Sequence, residues 1–171
     1  MVVSALVCLA LTVHAEARGE PREGKIAVAS VVMNRVEHNS SDVCTEVTKP
    51  GQFPWAKRVL RKTREGYVLA HKAMPVGQTW EISMEIAQAV LAGDLPVMPR
   101  ITYFHGTHEA PGWKLRREFT IGRHVFYGPS PRALALAREA AAAKAQARRE
   151  AVEVRPVLAT DLKLHPLPVL N

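Results

Sequence analysis

With only two cysteines, Cys8 and Cys44, the chain has too few for a disulfide framework, and it contains no C-x-x-C. Cys8 lies in an apolar run and suits a small buried hydrophobe, so two free thiols are expected rather than a bond. No H-E-x-x-H occurs, which removes the zinc-peptidase helix pattern. No helix-turn-helix, zinc-finger or aromatic RNA-binding signature is present, and there are no internal repeats. The apolar run 2–13 falls short of the roughly 20 residues that a bilayer span needs. It also lacks the preceding Lys or Arg of a secretory signal, and cleavage after Ala15 would strip Glu16 of its helix. The run is therefore read as a core helix, with no visible export signal and no membrane span.

What is present is a basic chain of 171 residues, net charge +7, with an ordinary 47% of hydrophobic residues. That length supports one domain with a real core. The charge favours polyanionic partners: nucleic acid, an anionic membrane or an anionic cell wall.

The most informative stretch is 9–35, read as the end of one apolar helix, a polar corner and the start of a second helix. Gly19 is a helix stop able to take the left-handed conformation. Pro21 suits the first turn of the next helix, with Glu20 near its N-cap. Glu16 then falls about one turn before the first helix ends. The helix dipole and the surrounding apolar surface both disfavour its charge there, and a raised pKa equips a carboxyl to act as a general acid near neutral pH.

The residues 15–36, A-E-A-R-G-E-P-x-E-G-K-I-A-V-A-x-V-V-x-N-R-V, resemble the opening signature of the spore cortex-lytic cell wall hydrolases of the SleB type. Further pieces follow in the same order: Val43-Cys44, Gly51-Gln52-Phe53, Thr102-Tyr103-Phe104-His105, Trp113, then Ile121-Gly122 and His124-Val125-Phe126-Tyr127. The resemblance implies a lysozyme-like domain, peptidoglycan as partner, and Glu16 as the catalytic acid that cleaves its glycan strands.

The expected fold is α+β and mostly helical, with a small β-hairpin. Residues 1–129 are expected to form the hydrolase domain, and 130–171 an Ala/Arg-rich helix with a Pro-containing tail from 154 on. Helix two, to about His38, should bury Ile26, Val28, Ala29, Val31, Val32, Met33 and Val36 and leave Arg22, Glu23, Lys25 and Glu37 wet. Asn34 is expected to bridge buried backbone. Arg35 is expected to pair with Glu16 or Glu20, or to sit on the surface. A short helix is expected over 43–48. Residues 56–64 hold five cations and are read as a basic helix running toward Lys72, a solvated face or an anion grip, with no counterpart in the family pattern. Helix 78–92 should end at Gly93 and bury Ile82, Ile86, Ala89 and Val90. A strand is expected over 101–105, and a hairpin turning at Gly122-Arg123.

For the substrate, Gln52, Phe53, Tyr103, His105, His124 and Tyr127 are candidate groove residues. Aromatics stack on sugar faces and amides bond N-acetyl groups, while the same rings, with Trp55, could equally be core anchors. No second acid falls on a matched position; Asp42, Asp94 and Glu109 sit in loops. Glycosidases normally use two carboxylates. One Glu suffices for a lytic transglycosylase, whose nucleophile is the sugar's own C6 hydroxyl; a hydrolysing muramidase is the alternative. Glu20 is a rival acid, although Gly19 and Pro21 favour its capping helix two. From other classes come a zinc site of His105, His108, His124 and Cys44, weak by spacing, and a basic nucleic-acid-binding module. No metal, cofactor or specific nucleic acid is expected. Anionic wall polymers are a further candidate partner, and a phage lysis or virion role would carry such an enzyme to the wall.

Overall fold

The computed structural model describes residues 2–70 and 74–158. These fall into two compact units, divided between Pro129 and Ser130.

In the first unit α1 (Ala5–Ala17) is buried all round from Cys8 to Val13. A helix apolar on every side needs neighbours on every side, and α2 (Arg22–Arg35), α3 (Val43–Thr48) and α5 (Gln78–Ala92) supply them. Ser4 caps α1, its hydroxyl accepting from Val7 N. The run 2–13 is thus a core helix, as its composition implied. Asn34 near the end of α2 donates to the carbonyls of Met98 and Ile101, both at 2.8 Å, the backbone-bridging role expected of a half-buried Asn.

A three-stranded antiparallel sheet, order β3-β5-β4, is built from β3 (Tyr103–Gly106), β4 (Arg116–Ile121) and β5 (His124–Gly128). The β4–β5 hairpin turns at Gly122-Arg123, with Ile121 opposite His124. Phe126, Phe104 and Phe119 form a small core with Ala27, Val28 and Val31 of α2. In the second unit α6 (Pro131–Leu158) is one long helix whose side chains are mostly exposed as far as Val152. Its Ala-rich composition favours helix without requiring a buried face.

Several expectations need correction. Cys8 and Cys44 are not free thiols: they form a disulfide across α1 and α3, with Cα atoms 5.3 Å apart. Sequence spacing could not reveal that these two helices lie side by side. The basic stretch is not one helix. It is a single turn, α4 (Ala56–Val59), followed by a hairpin of β1 (Leu60–Thr63) and β2 (Gly66–Leu69). Leu60, Tyr67, Val68 and Leu69 supply the β-forming residues, and Gly66 (φ 137°) the turn. Lys72, toward which that helix was expected to run, lies outside the described residues.

Lys25 is buried rather than wet, its ammonium donating to the Glu20 carbonyl. In α5 Ile86 and Val90 are buried as expected, Ser83 and Ala87 are buried with them, and Ile82 and Ala89 are only half-buried. The expected tail from 154 begins as helix to Leu158; residues 159–171 lie outside the described residues.

The corner differs in mechanism. Gly19 does not adopt a positive φ; α1 ends at Ala17, with Arg18 still in the right-handed region. Glu20 does not cap α2, whose N-cap is Pro21 without a side-chain bond. Its carboxylate instead accepts from Arg123 N (2.8 Å) and Arg123 Nε (3.2 Å). Gly122 makes this possible, with φ of 55° and a position where an added Cβ would lie 1.9 Å from Glu20 Oε2. The corner after α1 is thereby latched to the tip of the β4–β5 hairpin.

Candidate active site

A cleft of about 380 Å³ lies between the end of α1, the loop 51–54 and the edge strand β3. Glu16, Gln52, Phe53, Tyr103, His105 and His124 all line it. Tyr127 is not among its lining residues. It stands behind His105, whose ring it stacks on at 5.3 Å between centroids, with its hydroxyl 3.0 Å from His105 Nε2. Since His105 Nδ1 is 2.7 Å from the Gly106 carbonyl, which only accepts, Nδ1 carries the proton and Tyr127 donates to Nε2. The His105 ring is therefore buried and oriented from both sides.

Glu16 is half-buried in the last turn of α1. Among the described residues it has no ion pair. Its pKa is raised, chiefly because burial removes water from the charged form. The nearby Glu109 carboxylate adds to the rise, and the Trp55 side chain works against it. Trp55 Nε1 is buried and reaches full hydrogen-bond geometry with no partner, so its N–H offsets the rise only in part. A carboxyl so placed holds a proton at higher pH than one in water, the property a general acid requires.

His124 reaches the cleft from β5. Burial holds its pKa below the ordinary histidine value, with Glu20 pulling the other way, so it is neutral at neutral pH. Its Nδ1 is buried without a partner among the described residues. Tyr103 and Trp113 are both exposed and meet edge to face at 5.7 Å, a platform open to solvent on the rim. Phe53 is buried at 4% exposure yet still lines the cleft, so it is both core anchor and floor. Trp55 is buried beside it.

Arg35 pairs with neither Glu16 nor Glu20. Its Nη1 lies 3.7 Å from Glu46 Oε1 and donates to Gln52 Oε1 at 2.6 Å, while Nε donates to the Thr102 carbonyl at 2.6 Å. Its guanidinium also lies 5.6 Å from the Phe53 ring centroid and 5.0 Å from that of Tyr103. One side chain thus holds the loop 51–54 and β3 together along one wall of the cleft. A polar pair, Asn34-Arg35, inside an apolar run was the signal for it.

Glu109 also lines the cleft, although no sequence pattern marked it. It is exposed, and its Oε2 accepts from Gly106 N at 3.1 Å within its own turn. The imagined zinc set does not assemble: Cys44 is in the disulfide, and no group of three or more His, Cys, Asp or Glu side chains among the described residues could hold a metal ion.

A family model described as Cell Wall Hydrolase matches residues 19–127, more than half of the chain. The chain belongs to the cell wall hydrolase family. No curated protein and no solved structure matches it. Membership makes it a peptidoglycan-acting hydrolase at the cell wall, and the α+β, mostly helical architecture is the lysozyme-like one expected. The match begins three residues beyond Glu16, so that residue's role rests on the geometry of the cleft. No helix among the described residues is long and apolar enough to cross a membrane.

Proposed function

We propose that this cell wall hydrolase cuts glycan strands between N-acetylmuramic acid and N-acetylglucosamine as a lytic transglycosylase, with Glu16 its catalytic acid. The observation that carries the reading is the environment of Glu16: a half-buried carboxyl with raised pKa and no cationic partner among the described residues, opening into a cleft with an exposed aromatic rim.

In the first step protonated Glu16 gives its proton to the glycosidic oxygen as the C1–O bond breaks. The positive charge left at C1 is met by the substrate's own acetamido oxygen. Glu16, now a carboxylate, then takes the proton from the C6 hydroxyl as its oxygen bonds to C1, which leaves a 1,6-anhydro end and restores the acid. Trp55 N–H is available to the carboxylate formed midway. Tyr103 and Trp113 offer stacking faces, the Gln52 amide N–H offers a polar contact to an N-acetyl group, and His105 adds a ring edge to the wall. The disulfide suits a place of action outside the reducing cytosol.

Hydrolysis by the same acid is a second reading, favoured by one observation: Glu109 puts a second carboxylate in the cleft. Its engagement with Gly106 N speaks for an electrostatic role over water activation. Mass spectrometry of digested peptidoglycan decides between them. Anhydro ends support the transglycosylase, and reducing ends alone reject it.

A further inference from the structure

A dense positive surface lies outside the cleft. Lys57 and Arg58 of α4, Arg61 and Lys62 of β1 and Arg64 of the turn are all exposed. None of the five is ion-paired among the described residues, and Glu65 is the one acid within 57–69. On the hairpin, Lys62 faces Tyr67 across the strands, its ammonium 5.9 Å from the ring centroid. Residues two apart on a strand share a face, so Leu60 and Lys62 point the same way. Together with Lys49 and Lys57 they line a groove of about 360 Å³ whose floor is Leu60, Tyr67 and Pro50.

This groove is connected to the cleft. Thr45 and Lys49 are shared with a neighbouring hollow of about 410 Å³, and Arg35 is shared between that hollow and the cleft. The hollow carries Glu37 and Asp42 beside the Arg35–Glu46–Lys49 ion pairs.

Resting on the peptidoglycan reading above, we propose that the lysine groove between α3, α4 and the β1–β2 hairpin is an anchoring site for a linear acidic polymer of the cell wall. Lys57 and Lys62, neither ion-paired among the described residues, stand over an apolar floor beside Lys49, which Glu46 already holds; such a lining suits a chain that alternates anionic groups with carbon backbone. Nucleic acid fits less well. Single strands are held by stacking on open aromatic faces, whereas Tyr67 is half-buried, covered by Lys62 and tied through its hydroxyl to Thr45 and Thr48.

The test uses the full chain in four forms: wild type, Lys57→Ala/Lys62→Ala, Lys57→Arg/Lys62→Arg, and Arg138→Ala/Arg148→Ala on α6 as a control of equal charge loss. Binding is measured to poly(glycerol phosphate), to polygalacturonate and to a short single-stranded oligonucleotide. The groove variant should bind the acidic polymer about tenfold more weakly at low salt, with a shallower salt dependence, and Lys57→Arg/Lys62→Arg should restore it. The control should bind as wild type. Whichever of the phosphate and carboxylate polymers is held names the source of the charge. Cleavage of a small soluble glycan should be the same in every form. Equal binding by the groove variant, equal loss in the α6 control, or tighter binding of the oligonucleotide overturns the proposal. Because binding is read without turnover, failure of the Glu16 chemistry would show as lost cleavage in all forms and leave the binding result standing.

Discussion

Glu16 and Glu20 are the same residue type four positions apart, and the fold treats them in opposite ways. Burial acts first on both, and disfavours charge. At Glu20 two hydrogen bonds from Arg123, together with its guanidinium charge, outweigh it and hold the pKa below the ordinary carboxylate value. At Glu16 no cation answers, and the neighbouring charge is that of Glu109, so its pKa stays raised. A general acid needs the arrangement at Glu16, and a structural latch the one at Glu20. What separates them is the corner 17–21, which ends α1, turns Glu16 toward the cleft and sends Glu20 to the hairpin tip.

Both arrangements depend on where α1 lies, so loosening α1 should harm both at once. The disulfide closes a loop of 36 residues between α1 and α3, and the chain-entropy model assigns such a closure about 4 kcal/mol. Cys8→Ala/Cys44→Ala should show the largest loss of stability in denaturant melts, with activity falling in proportion to the unfolded fraction. Equal stability of the two forms would mean that the bond is idle.

Next in size is the latch itself. Glu20→Gln keeps the shape but loses the charge that Arg123 binds, at a cost of about 1–3 kcal/mol. Turnover per folded molecule should hold, which separates it from Glu16. Gly122→Ala should cost a similar ~1–3 kcal/mol, because its positive φ and the Glu20 oxygen both exclude a side chain. A Glu20→Gln enzyme that is stable but inactive would reverse the two assignments.

Stability against pH should then split the pair by sign. Glu20, with its lowered pKa, contributes stability above the unfolded carboxylate pKa and loses it as pH falls through the folded one. Glu20→Gln should therefore melt below wild type at neutral pH, with the gap closing in acid. Glu16, with its raised pKa, contributes fully only below the unfolded value and loses that as pH rises through the folded one. Glu16→Gln should melt above wild type at neutral pH and match it in acid. Melting curves of both variants across pH check this, and gaps of the same sign would refute it.

The smallest effect belongs to Glu109. Removing its charge by Glu109→Gln should lower the Glu16 pKa and move the alkaline limb of the pH–rate profile to lower pH. The shift should shrink at about 1 M salt, because Glu109 is exposed and screened. A loss of turnover at every pH would instead make Glu109 the second catalytic carboxylate.

The sequence made the helices and the hairpin readable where local signals agree. Gly93 closes α5 in the left-handed conformation, and Gly122-Arg123 turns the hairpin. It misled where the outcome depends on long-range contact. The β1–β2 strands read as helix because charge hid their short β-forming segments. The two cysteines looked unpaired because nothing local brings α1 to α3. At the site, the candidates that reach the cleft come from motifs in fixed order. Arg35, Glu109 and the Trp55 N–H acquire meaning only from what stands opposite them, and no spacing along the chain records that.

In the proposed mechanism Glu16 supplies the proton that breaks the glycan. Turnover of purified peptidoglycan by Glu16→Gln, beside wild type and at matched folded concentration, tests it most directly. The expected result is a fall of about a thousandfold, with a melting temperature at neutral pH no lower than that of wild type. Full turnover by Glu16→Gln would contradict the account.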